Sequence, residues 1–247
     1  MSKATIIHLD VVDSTNSFAQ ELLTNHIVEN GTVIVARNQT NGKGQRGSVW
    51  LAEAGSNLTF SVIFLPESMP STKQFLLNKA LCLAIYNLLT AKGFANAAIK
   101  WPNDVLVNKK KIAGILIENA LRGNYIQSVI AGFGINVNQN NFGNGLKETA
   151  TSMRLQKGSV FILETLLEET IQCIQDCYKS ALKNDNDQIE SNYTKALYQS
   201  DVWAMYETNN KEFLGCIRGV NDGGQLMVEN KKGEILYFAN KEIKLKF

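Results

Sequence analysis

The sequence has 247 residues, of which 45% are apolar and 19% are charged, and its formal net charge is +2. This composition is typical of a globular protein with a sizeable core and excludes an intrinsically disordered chain. The near balance of charge argues against the broad basic face of a nucleic-acid-binding protein, so cationic chemistry has to be local.

The longer N-terminal part of the chain predicts an α+β domain. A helix is expected to begin on a hydroxyl or amide cap at Ser14-Thr15-Asn16, and a longer helix behind the capping box of Ser71 and Gln74, ending at Lys92 before Gly93. The short connections between successive strands imply antiparallel pairing. Strands are predicted at 32–36, 58–64, 98–101, 105–107, 111–118 and 127–137, and further helices at 160–182 and 188–198.

After Ser200 the pattern changes to short strands separated by tight turns rich in asparagine and glycine. Five short strands in so short a segment predict a small barrel. We therefore expect two domains, 1–199 and 200–247. The strands of the second are predicted at 202–206, 213–220, 226–229, 235–238 and 243–247.

The chain carries no pattern that predicts secretion or membrane insertion. Its N-terminus lacks the apolar core of a signal peptide, and the most apolar helix candidate, 75–91, contains Asn78, Lys79 and Asn87, which favours a core helix. We expect a cytoplasmic protein with no membrane partner, whose cysteines are buried free thiols rather than zinc ligands. These cysteines are Cys82, Cys173, Cys177 and Cys216.

A glycine-rich loop follows the strand predicted at 32–36. Gly42, Gly44 and Gly47 have the G-x-G-x-x-G spacing of a dinucleotide-binding turn, but a Rossmann turn needs a helix directly after the glycines and this loop runs on into a strand. Lys43 and Arg46 add positive charge to the loop. It is therefore expected to wrap an anion with backbone N–H groups and mobile cations; the alternative is a solvated surface hairpin.

A second group of polar residues and glycines begins in the segment KWPNDVLVNKKKIAGILIE, residues 100–118. Asn103 and Asp104 follow a strand and are able to orient a metal or a nucleophile, with a simple Asx turn as the alternative. Lys111 begins an apolar strand, where a solvated end residue is the alternative. Glycines in this strand and the next suggest a flat ligand lying against the sheet, with β-bulges as the alternative. These glycines are Gly114, Gly132 and Gly134.

Together these segments resemble biotin–protein ligases, the biotin–[carboxylase] ligases, over nearly the whole chain. The segments 13–16, 39–47, 100–114 and 132–136 follow each other in the order of that family, and the C-terminal GCIRGVNDGGQL is similar to its small closing barrel. The resemblance implies the class II synthetase-like biotin/lipoate ligase fold, a mixed, mainly antiparallel sheet packed with helices, followed by an SH3-like β-barrel.

The resemblance also implies a two-step reaction that consumes ATP. The biotin carboxylate attacks the α-phosphate of ATP, giving biotinyl-5′-AMP and pyrophosphate. A lysine of a biotin carboxyl carrier domain then attacks the activated carbonyl and releases AMP. Neither step needs a nucleophile from the protein, so catalysis would rest on positioning and electrostatics.

Each motif residue takes an implied role from the resemblance. The catalytic residues would be Lys111, Lys43, Arg46 and Asp104, with Lys111 between the biotin carboxylate and the α-phosphate. Magnesium would arrive with ATP, helped by Asp104, and would need no separate protein site. Biotin would be bound by Ser14, Thr15, Asn16, Gln39, Gly42, Lys43, Gly44, Gln45, Lys111, Gly114, Gly132 and Gly134. ATP and the adenylate would be bound by Lys43, Arg46, Trp50, Asn103, Lys111 and Asn136.

The resemblance also implies particular contacts with biotin and with adenine. Ser14, Thr15 and Gln39 would hydrogen-bond the ureido ring of biotin, the strand glycines would give the bicyclic ring room, and Trp50 would stack on the adenine. The glycine loop would act as a lid that keeps water from the acyl-adenylate.

Two features depart from the family pattern. Gln45 and Ser48 stand where many relatives carry arginine, which puts the part of Gln45 in retaining the adenylate in question. Some relatives carry an N-terminal helix-turn-helix, whereas here the 13–16 motif comes almost at once, so we expect a ligase that binds no DNA. Exposed edge strands near the glycine loop would allow a two-fold homodimer.

Three other functions stay open from the residues alone. A lipoate–protein ligase would share the fold and the adenylation chemistry, but that family leads us to expect an arginine-rich, glycine-repeated loop ending in His-Asp. A nucleotide-dependent oxidoreductase rests only on the glycine spacing. A non-enzymatic interaction module would use the small barrel alone, and the presence of Lys43, Lys111 and Asp104 argues against it.

Overall fold

The computed structural model describes residues 5–183 and 185–246, apart from the side chain of residue 144. Its larger sheet has eight strands: β1 (Ile6–Val12), β2 (Val33–Gln39), β3 (Leu58–Phe64), β4 (Met69–Pro70), β5 (Ala97–Lys100), β6 (Asp104–Val107), β7 (Lys110–Arg122) and β8 (Tyr125–Ile135). The spatial order is β1-β2-β3-β8-β7-β6-β5, with β4 also paired to β8. Only β1 and β2 run parallel among the described pairs, which confirms a mixed, mainly antiparallel sheet.

Helices cover both faces of this sheet. They are α1 (Thr15–Asn25), α2 (Gln74–Ala91), α3 (Gly143–Leu146), α4 (Met153–Lys157), α5 (Leu163–Leu182) and α6 (Asn186–Ala196). The larger core lies between the sheet and α2, α5 and α6, and a smaller one lies beneath α1. The strand β3 contributes to both cores because its side chains alternate between the two faces. Phe60 and Val62 belong to the larger core and Ile63 to the smaller one, which places Ser61 on the α1 face.

Two local predictions are wrong. No strand is predicted at 6–12, yet β1 forms there; it is an edge strand of half-buried and exposed residues, so no apolar run marks it. The predicted capping box is not formed, because Ser71–Lys73 is a 3₁₀ turn and α2 begins at Gln74 without a side-chain cap among the described residues. The end of α2 is confirmed: Gly93 has φ +78° and its N–H donates to Thr90 O.

The helix α2 lies in the middle of the larger core, as predicted. The stretch Ser71–Ala91 is long and apolar enough to cross a bilayer, but 67% of its most apolar window is buried inside the fold. It packs against α5 and α6 on one side and against the sheet on the other. Packing against protein on several sides explains its apolar character without a membrane.

The C-terminal segment forms a separate antiparallel sheet, as expected for an SH3-like barrel. Its strands are β9 (Trp203–Thr208), β10 (Lys211–Val220), β11 (Leu226–Asn230), β12 (Ile235–Phe238) and β13 (Lys244–Leu245), in the order β12-β11-β10-β9-β13. The last predicted strand is shortened to β13, and Phe247 lies outside the described residues. The division into domains at 199/200 stays a prediction, since the larger core continues through Tyr206 and Val228 of the second sheet.

A buried ion pair joins the two sheets through the helices. The ammonium of Lys79 on α2 lies 2.6 Å from Oε1 of Glu190 on α6 and 2.9 Å from the backbone oxygen of Val220 on β10. Lys79 is fully buried, and its ammonium also faces the rings of Phe75 and Tyr193. Because a buried charge is stable only when it is paired, these contacts fix α6 and β10 against α2.

Candidate active site

A cavity of about 550 Å³ opens where the glycine loop, the start of α1 and the middle of β7 and β8 meet the end of the second sheet. Most of the predicted site residues line it: Ser14, Thr15, Asn16, Gln39, Lys43, Gly44, Gln45, Trp50, Asn103, Asp104, Lys111, Gly114, Gly132 and Gly134. These residues come from six separate segments of the chain, and the fold brings them together around one cavity.

Three predicted site residues do not line this cavity. Gly42 is buried under the glycine loop, where a Cβ would lie 2.5 Å from the backbone oxygen of Trp50. Arg46 extends toward the second sheet, where its Nη1 donates to the backbone oxygen of Asn240 at 2.8 Å. Asn136 is buried beside the cavity; its Nδ2 donates to a backbone oxygen, and its Oδ1 has no hydrogen-bond partner in the described part of the chain.

Buried polar side chains form one wall of the cavity, at the start of α1. The N–H of Thr15 donates to Oε1 of Gln39 at 2.8 Å. The hydroxyl of Ser61 lies 2.7 Å from that of Thr15 and 2.6 Å from Oδ1 of Asn16, and Nδ2 of Asn16 donates to Oε2 of Glu118 at 2.7 Å. Neither Ser61 nor Glu118 is among the predicted site residues, although a serine within the apolar run at 58–64 is a signal that points to Ser61.

The start of α1 is as predicted, but its cap is not. Ser14 occupies the N-cap position with extended backbone, and its side chain makes no capping hydrogen bond among the described residues. Its side chain lines the cavity instead. The first residues of this helix therefore line the cavity and do not cap the helix.

The strand glycines provide space for two side chains of this protein. A Cβ on Gly132 would lie 2.3 Å from Oδ1 of Asn16, and a Cβ on Gly134 would lie 2.3 Å from Cε2 of Trp50. A Cβ on Gly114 would lie 3.2 Å from both the Trp50 ring and Nζ of Lys111. The β-bulge alternative does not hold, since Gly132 and Gly134 pair in regular register with β3 and β7. That they also give a ligand room stays a prediction.

Lys111 and Asp104 form an ion pair at the centre of the site. Nζ of Lys111 lies 2.6 Å from Oδ1 of Asp104 and 5.3 Å from the centroid of the Trp50 ring. Both side chains are partly exposed to the cavity, at 35% and 25%. Next to them, Nδ2 of Asn103 donates to Ile115 O at 2.7 Å, which fixes the turn before β6. The lysine is thus held over the cavity by a carboxylate and remains accessible to an anion.

The glycine loop is a short hairpin with its tip at Gln45–Gly47. The N–H of Gly44 donates to Ser48 O, and the N–H of Trp50 donates to Gly42 O. At the tip, Oε1 of Gln45 accepts from Nδ2 of Asn240 at 2.9 Å. The hairpin therefore bridges the cavity and rests on the second sheet, and it is an ordered hairpin rather than a Rossmann turn.

Positive charge is concentrated around the cavity. Asp104 is the only acidic residue among the described residues that line it. The basic ones are Lys43, Lys100, Lys111, Lys241 and Lys244. Such an excess of ammonium groups favours a polyanionic ligand. Lys43 and Lys111 are among the predicted site residues, whereas Lys241 and Lys244, from the C-terminal segment after β12, are not.

A second cavity, of about 590 Å³, adjoins the first and is also lined by Trp50. The residues shared by both cavities are Val49, Trp50, Lys100, Asp104 and Lys111. Asn136, whose Oδ1 has no hydrogen-bond partner in the described part of the chain, lines the second cavity together with the apolar residues Leu106 and Phe142. The Lys111–Asp104 pair thus lies where two separate cavities meet.

The turn between β5 and β6 is supported by the second sheet. The Trp101–Pro102 peptide bond in this turn is cis. Nε1 of Trp101 donates to the backbone oxygen of Gly224 at 3.0 Å. A Cβ on Gly224 would lie 2.5 Å from the ring of Phe75 on α2, and the residue has φ +83°. The turn that carries Asn103 is therefore packed between α2 and the hairpin that contains Gly224.

The cysteines take no part in the cavity. All four are free, but only Cys82 and Cys216 are buried as predicted, whereas Cys173 and Cys177 are partly exposed. Cys82 lies beneath the turn, with its thiol 3.9 Å from Pro102 O. Burial, with a smaller contribution from Asp104, raises the pKa of the Cys82 thiol well above its usual range. A thiol that stays protonated is a poor nucleophile. The described residues also contain no group of three or more His, Cys, Asp or Glu side chains able to hold a metal.

The profile of the Biotin/lipoate A/B protein ligase family matches residues 8–136, about half of the chain and the part that carries most of the cavity. The chain belongs to this family. Among its relatives, the bifunctional ligase/repressor BirA of Bacillus subtilis (strain 168) is 32% identical over 241 residues, covering 96% of this chain and 74% of BirA. The biotin--[acetyl-CoA-carboxylase] ligase of Paracoccus denitrificans is 36% identical over 127 residues, 51% of each chain.

Solved structures of the ligase family extend the match to the second sheet. The biotin protein ligase from Aquifex aeolicus, in complex with biotin and ATP, superposes with a TM-score of 0.80 at 26% identity, covering 98% of both chains. This agreement confirms the predicted ligase fold, and the second antiparallel sheet is compatible with the predicted SH3-like barrel.

Proposed function

We propose that this protein is an ATP-dependent biotin–protein ligase, which forms biotinyl-5′-AMP and transfers biotin to a lysine of a biotin carboxyl carrier domain. The observation that carries the proposal is the position of the Lys111–Asp104 pair, where two cavities meet. A reaction that joins two small substrates needs two binding sites that share one reacting centre. The membership of the biotin/lipoate ligase family supports the same reaction.

The first cavity is proposed to bind biotin. A ureido ring offers two N–H donors and a carbonyl acceptor, and it needs polar partners when it is buried. Thr15 and Gln39 supply such partners in the wall beside α1, and Asn16 holds this wall in place through its contacts with Ser61 and Glu118. The dithiolane ring of lipoate lacks these donors, so binding it would leave the polar groups of the wall unsatisfied. The geometry therefore favours biotin over lipoate.

The second cavity is proposed to bind the adenine of ATP. Its apolar lining and the free Oδ1 of Asn136 suit a flat base with an exocyclic amino group, and the indole of Trp50 offers a stacking surface. Lys43 and the lysines of the second sheet lie on the first-cavity side, where the phosphates would extend. The carboxylate Asp104 would help to hold the magnesium ion that accompanies ATP.

Lys111 is proposed to neutralise the repulsion between the two anionic substrates. In the first step a biotin carboxylate oxygen bonds to the α-phosphorus, the bond to the β-phosphate oxygen breaks, and pyrophosphate leaves. In the second step the acceptor amine bonds to the carbonyl carbon, AMP leaves, and the amine loses a proton. A fixed ammonium beside the developing charge stabilises both transition states without reorganisation.

The glycine loop is proposed to close over the adenylate. Its tip rests on Asn240 through Gln45 and Arg46, so these two residues act as contacts of the closed loop. Gln45 contributes a hydrogen bond here but no charge, and Lys43 is the loop residue that faces the phosphates. Arg46 is proposed to bind phosphate only if the loop moves from the observed position.

Further properties belong to the same proposal. A cytoplasmic location agrees with four free cysteines, and the division into 1–199 and 200–247 agrees with the two sheets. A homodimer would pair the edge strand β1, where Val11 is exposed. The near-neutral charge supports a ligase that binds no DNA; a DNA footprint at physiological salt would contradict this.

The direct test is ligand-dependent ATP–pyrophosphate exchange by the purified protein, with biotin and lipoate offered separately. Exchange with biotin alone is expected, followed by transfer of biotin to a purified carrier domain. Exchange with lipoate alone would support the adenylation reaction but would replace biotin by lipoate as the proposed substrate. Exchange with neither substrate would contradict the proposed function.

A further inference from the structure

The polar wall of the first cavity is a continuous chain of hydrogen bonds that ends on Glu118. We propose that Glu118 is a positioning residue: it fixes the direction of this chain and thereby makes the Thr15 hydroxyl an acceptor toward the ligand. The inference rests on the proposed function, because the ligand that it discriminates is biotin. Glu118 itself lies on the exposed part of β7, two residues beyond the cavity-lining Leu116.

The sheet register explains how the chain of hydrogen bonds is built. Ser61 of β3, Gly132 of β8 and Leu116 of β7 stand side by side across three strands. Because Gly132 has no side chain, the amide of Asn16 lies flat on it. The oxygen of that amide reaches Ser61 at 2.6 Å, and its nitrogen reaches Glu118 at 2.7 Å. Asn16 is thus held at both ends of its amide group.

The number of protons on each group then determines which group donates in each hydrogen bond of this network. As an ionised carboxylate, Glu118 only accepts, so Asn16 must present its NH₂ to Glu118 and its oxygen to Ser61. The single hydroxyl proton of Ser61 is therefore donated to Asn16. Ser61 must in turn accept from the Thr15 hydroxyl at 2.7 Å, since two oxygen lone pairs would repel each other at that distance.

The Thr15 hydroxyl has a second possible acceptor, Oε1 of Gln39. The Thr15 hydroxyl lies 3.1 Å from Oε1 of Gln39, which is longer than its 2.7 Å contact with the Ser61 hydroxyl. Oε1 of Gln39 accepts the Thr15 backbone N–H at 2.8 Å. Because Thr15 donates its one hydroxyl proton to Ser61, the lone pairs of the Thr15 hydroxyl oxygen remain as acceptors for a ligand in the cavity. Gln39, whose oxygen is in use, offers its Nε2 donors.

This arrangement defines the ligand chemistry at the wall. A ligand must bring a donor to Thr15 and an acceptor to Gln39, next to each other. The N–H and C=O groups of a cyclic urea meet both requirements. A ring oxygen in place of the N–H would face the lone pair of Thr15 and be rejected. Glu118 thus contributes to specificity through Ser61 and Asn16, without touching the ligand.

The test compares biotin with the two analogues in which one or the other ureido N–H is replaced by a ring oxygen. The unaltered protein should use biotin and reject at least one analogue in ATP–pyrophosphate exchange. In Glu118→Gln the side-chain amide at position 118 is able to donate or accept. The hydrogen bonds through Asn16 and Ser61 then no longer have one fixed direction. We expect the KM for biotin to rise about tenfold, the KM for ATP to stay unchanged, and the discrimination against that analogue to fall about tenfold.

Two further variants make the test specific. Glu21→Gln removes an exposed carboxylate from α1, the helix of Asn16, and should leave every parameter unchanged. Ser61→Ala interrupts the same chain in the middle, so its loss of discrimination should not add to that of Glu118→Gln. A merely structural role of Glu118 would lower activity with all substrates equally.

The outcomes separate this inference from the proposed function. No exchange with biotin by the unaltered protein would overturn both. Normal exchange by the unaltered protein, together with unchanged discrimination in Glu118→Gln or with additive losses in the double variant, would overturn the role of Glu118 alone.

Discussion

The indole of Trp50 lies directly on the backbone of Gly134. A Cβ at position 134 would overlap Cε2 of the ring at 2.3 Å, closer than any real carbon contact. Trp50 is the last residue of the glycine hairpin, and it lines both cavities. The contact therefore fixes both the base of the hairpin and a residue shared by the proposed biotin and adenine sites.

Gly134→Ala should displace the Trp50 ring and weaken the binding of both substrates. Forcing an extra carbon into such a packed contact typically costs 1–3 kcal/mol, so we expect the KM for biotin and for ATP to rise about tenfold. Gly145→Ala is the control, because a Cβ there meets nothing within 4 Å among the described residues. If the contact is the cause, adding Gly134→Ala to a Trp50→Ala variant should bring no further loss.

Lys111→Ala should lower the rate of adenylate formation by about a hundredfold or more. The estimate follows from the loss of one preorganised charge at the reacting centre, about 3 kcal/mol. Single-turnover formation of biotinyl-5′-AMP measures this step directly. Lys232→Ala, in an exposed turn of the second sheet, is the control for loss of a lysine. Near-normal turnover in Lys111→Ala would remove Lys111 from the mechanism.

Glu190→Ala should destabilise the protein by about 3 kcal/mol, because it leaves the buried ammonium of Lys79 without its carboxylate. The estimate is at the low end for a buried pair, since Glu190 is partly exposed. Urea unfolding measures the loss, and Glu168→Ala, which is exposed on α5, should change stability by no more than about 0.5 kcal/mol. Lys79→Met should cost less than Glu190→Ala; the reverse order would argue against an uncompensated charge.

The stability of the protein should fall in alkali, partly through Cys177. Burial, with smaller contributions from Cys173 and Asp176, raises the pKa of the Cys177 thiol from 9.0 to about 11. The unfolded chain loses this proton above pH 9 while the folded chain keeps it, so the contribution is complete below pH 9 and is lost as the pH rises toward 11.

Unfolding of Cys177→Ala in urea at a series of pH values measures this contribution. The slope of the unfolding free energy between pH 9 and 10 should become shallower by up to about 1.4 kcal/mol per pH unit. Ser180→Ala on the same helix removes no thiol and should keep the original slope. An unchanged slope in Cys177→Ala would mean that the thiol titrates normally in the folded protein.

The glycine hairpin should become protected when the substrates bind. Trypsin is expected to cleave after Lys43 and Arg46 in the free protein, and more slowly with biotin and ATP together. The exposed turn at Lys231 and Lys232 provides an internal control whose cleavage should not change. Asn240→Ala should speed cleavage at the hairpin, because it removes the side-chain contact with Gln45. Equal cleavage with and without substrates would argue against a lid.

Local patterns in the sequence predict most of the fold. The alternation of β3 marks a buried strand at 58–64, and the tight turns after Ser200 mark the second sheet. The cavity is also predictable in outline, because short motifs such as 13–16 and 100–104 carry the polar side chains. These signals lie within a few residues of each other, so they can be read without knowledge of the tertiary structure.

Contacts between distant segments could not be predicted in this way. The position of Arg46 depends on Asn240, and the role of Gly132 depends on Asn16, which lies over it. Glu118 looks like an ordinary end of an apolar strand until the sheet register places it beside Asn16. In each case the deciding partner lies more than a hundred residues away in the chain.

The hairpin that contains Gly224 limits where this protein tolerates changes in chain length. Its backbone holds Trp101 and packs on Phe75, so an inserted residue at 222–224 would shift the turn that carries Asn103. The neighbouring hairpin at 231–233 is different, because a Cβ on Gly233 meets nothing within 4 Å in the described chain. Insertions, tags or grafted epitopes in the second sheet therefore belong at 231–233, where the chain can vary in length while the turn that carries Asn103 stays in place.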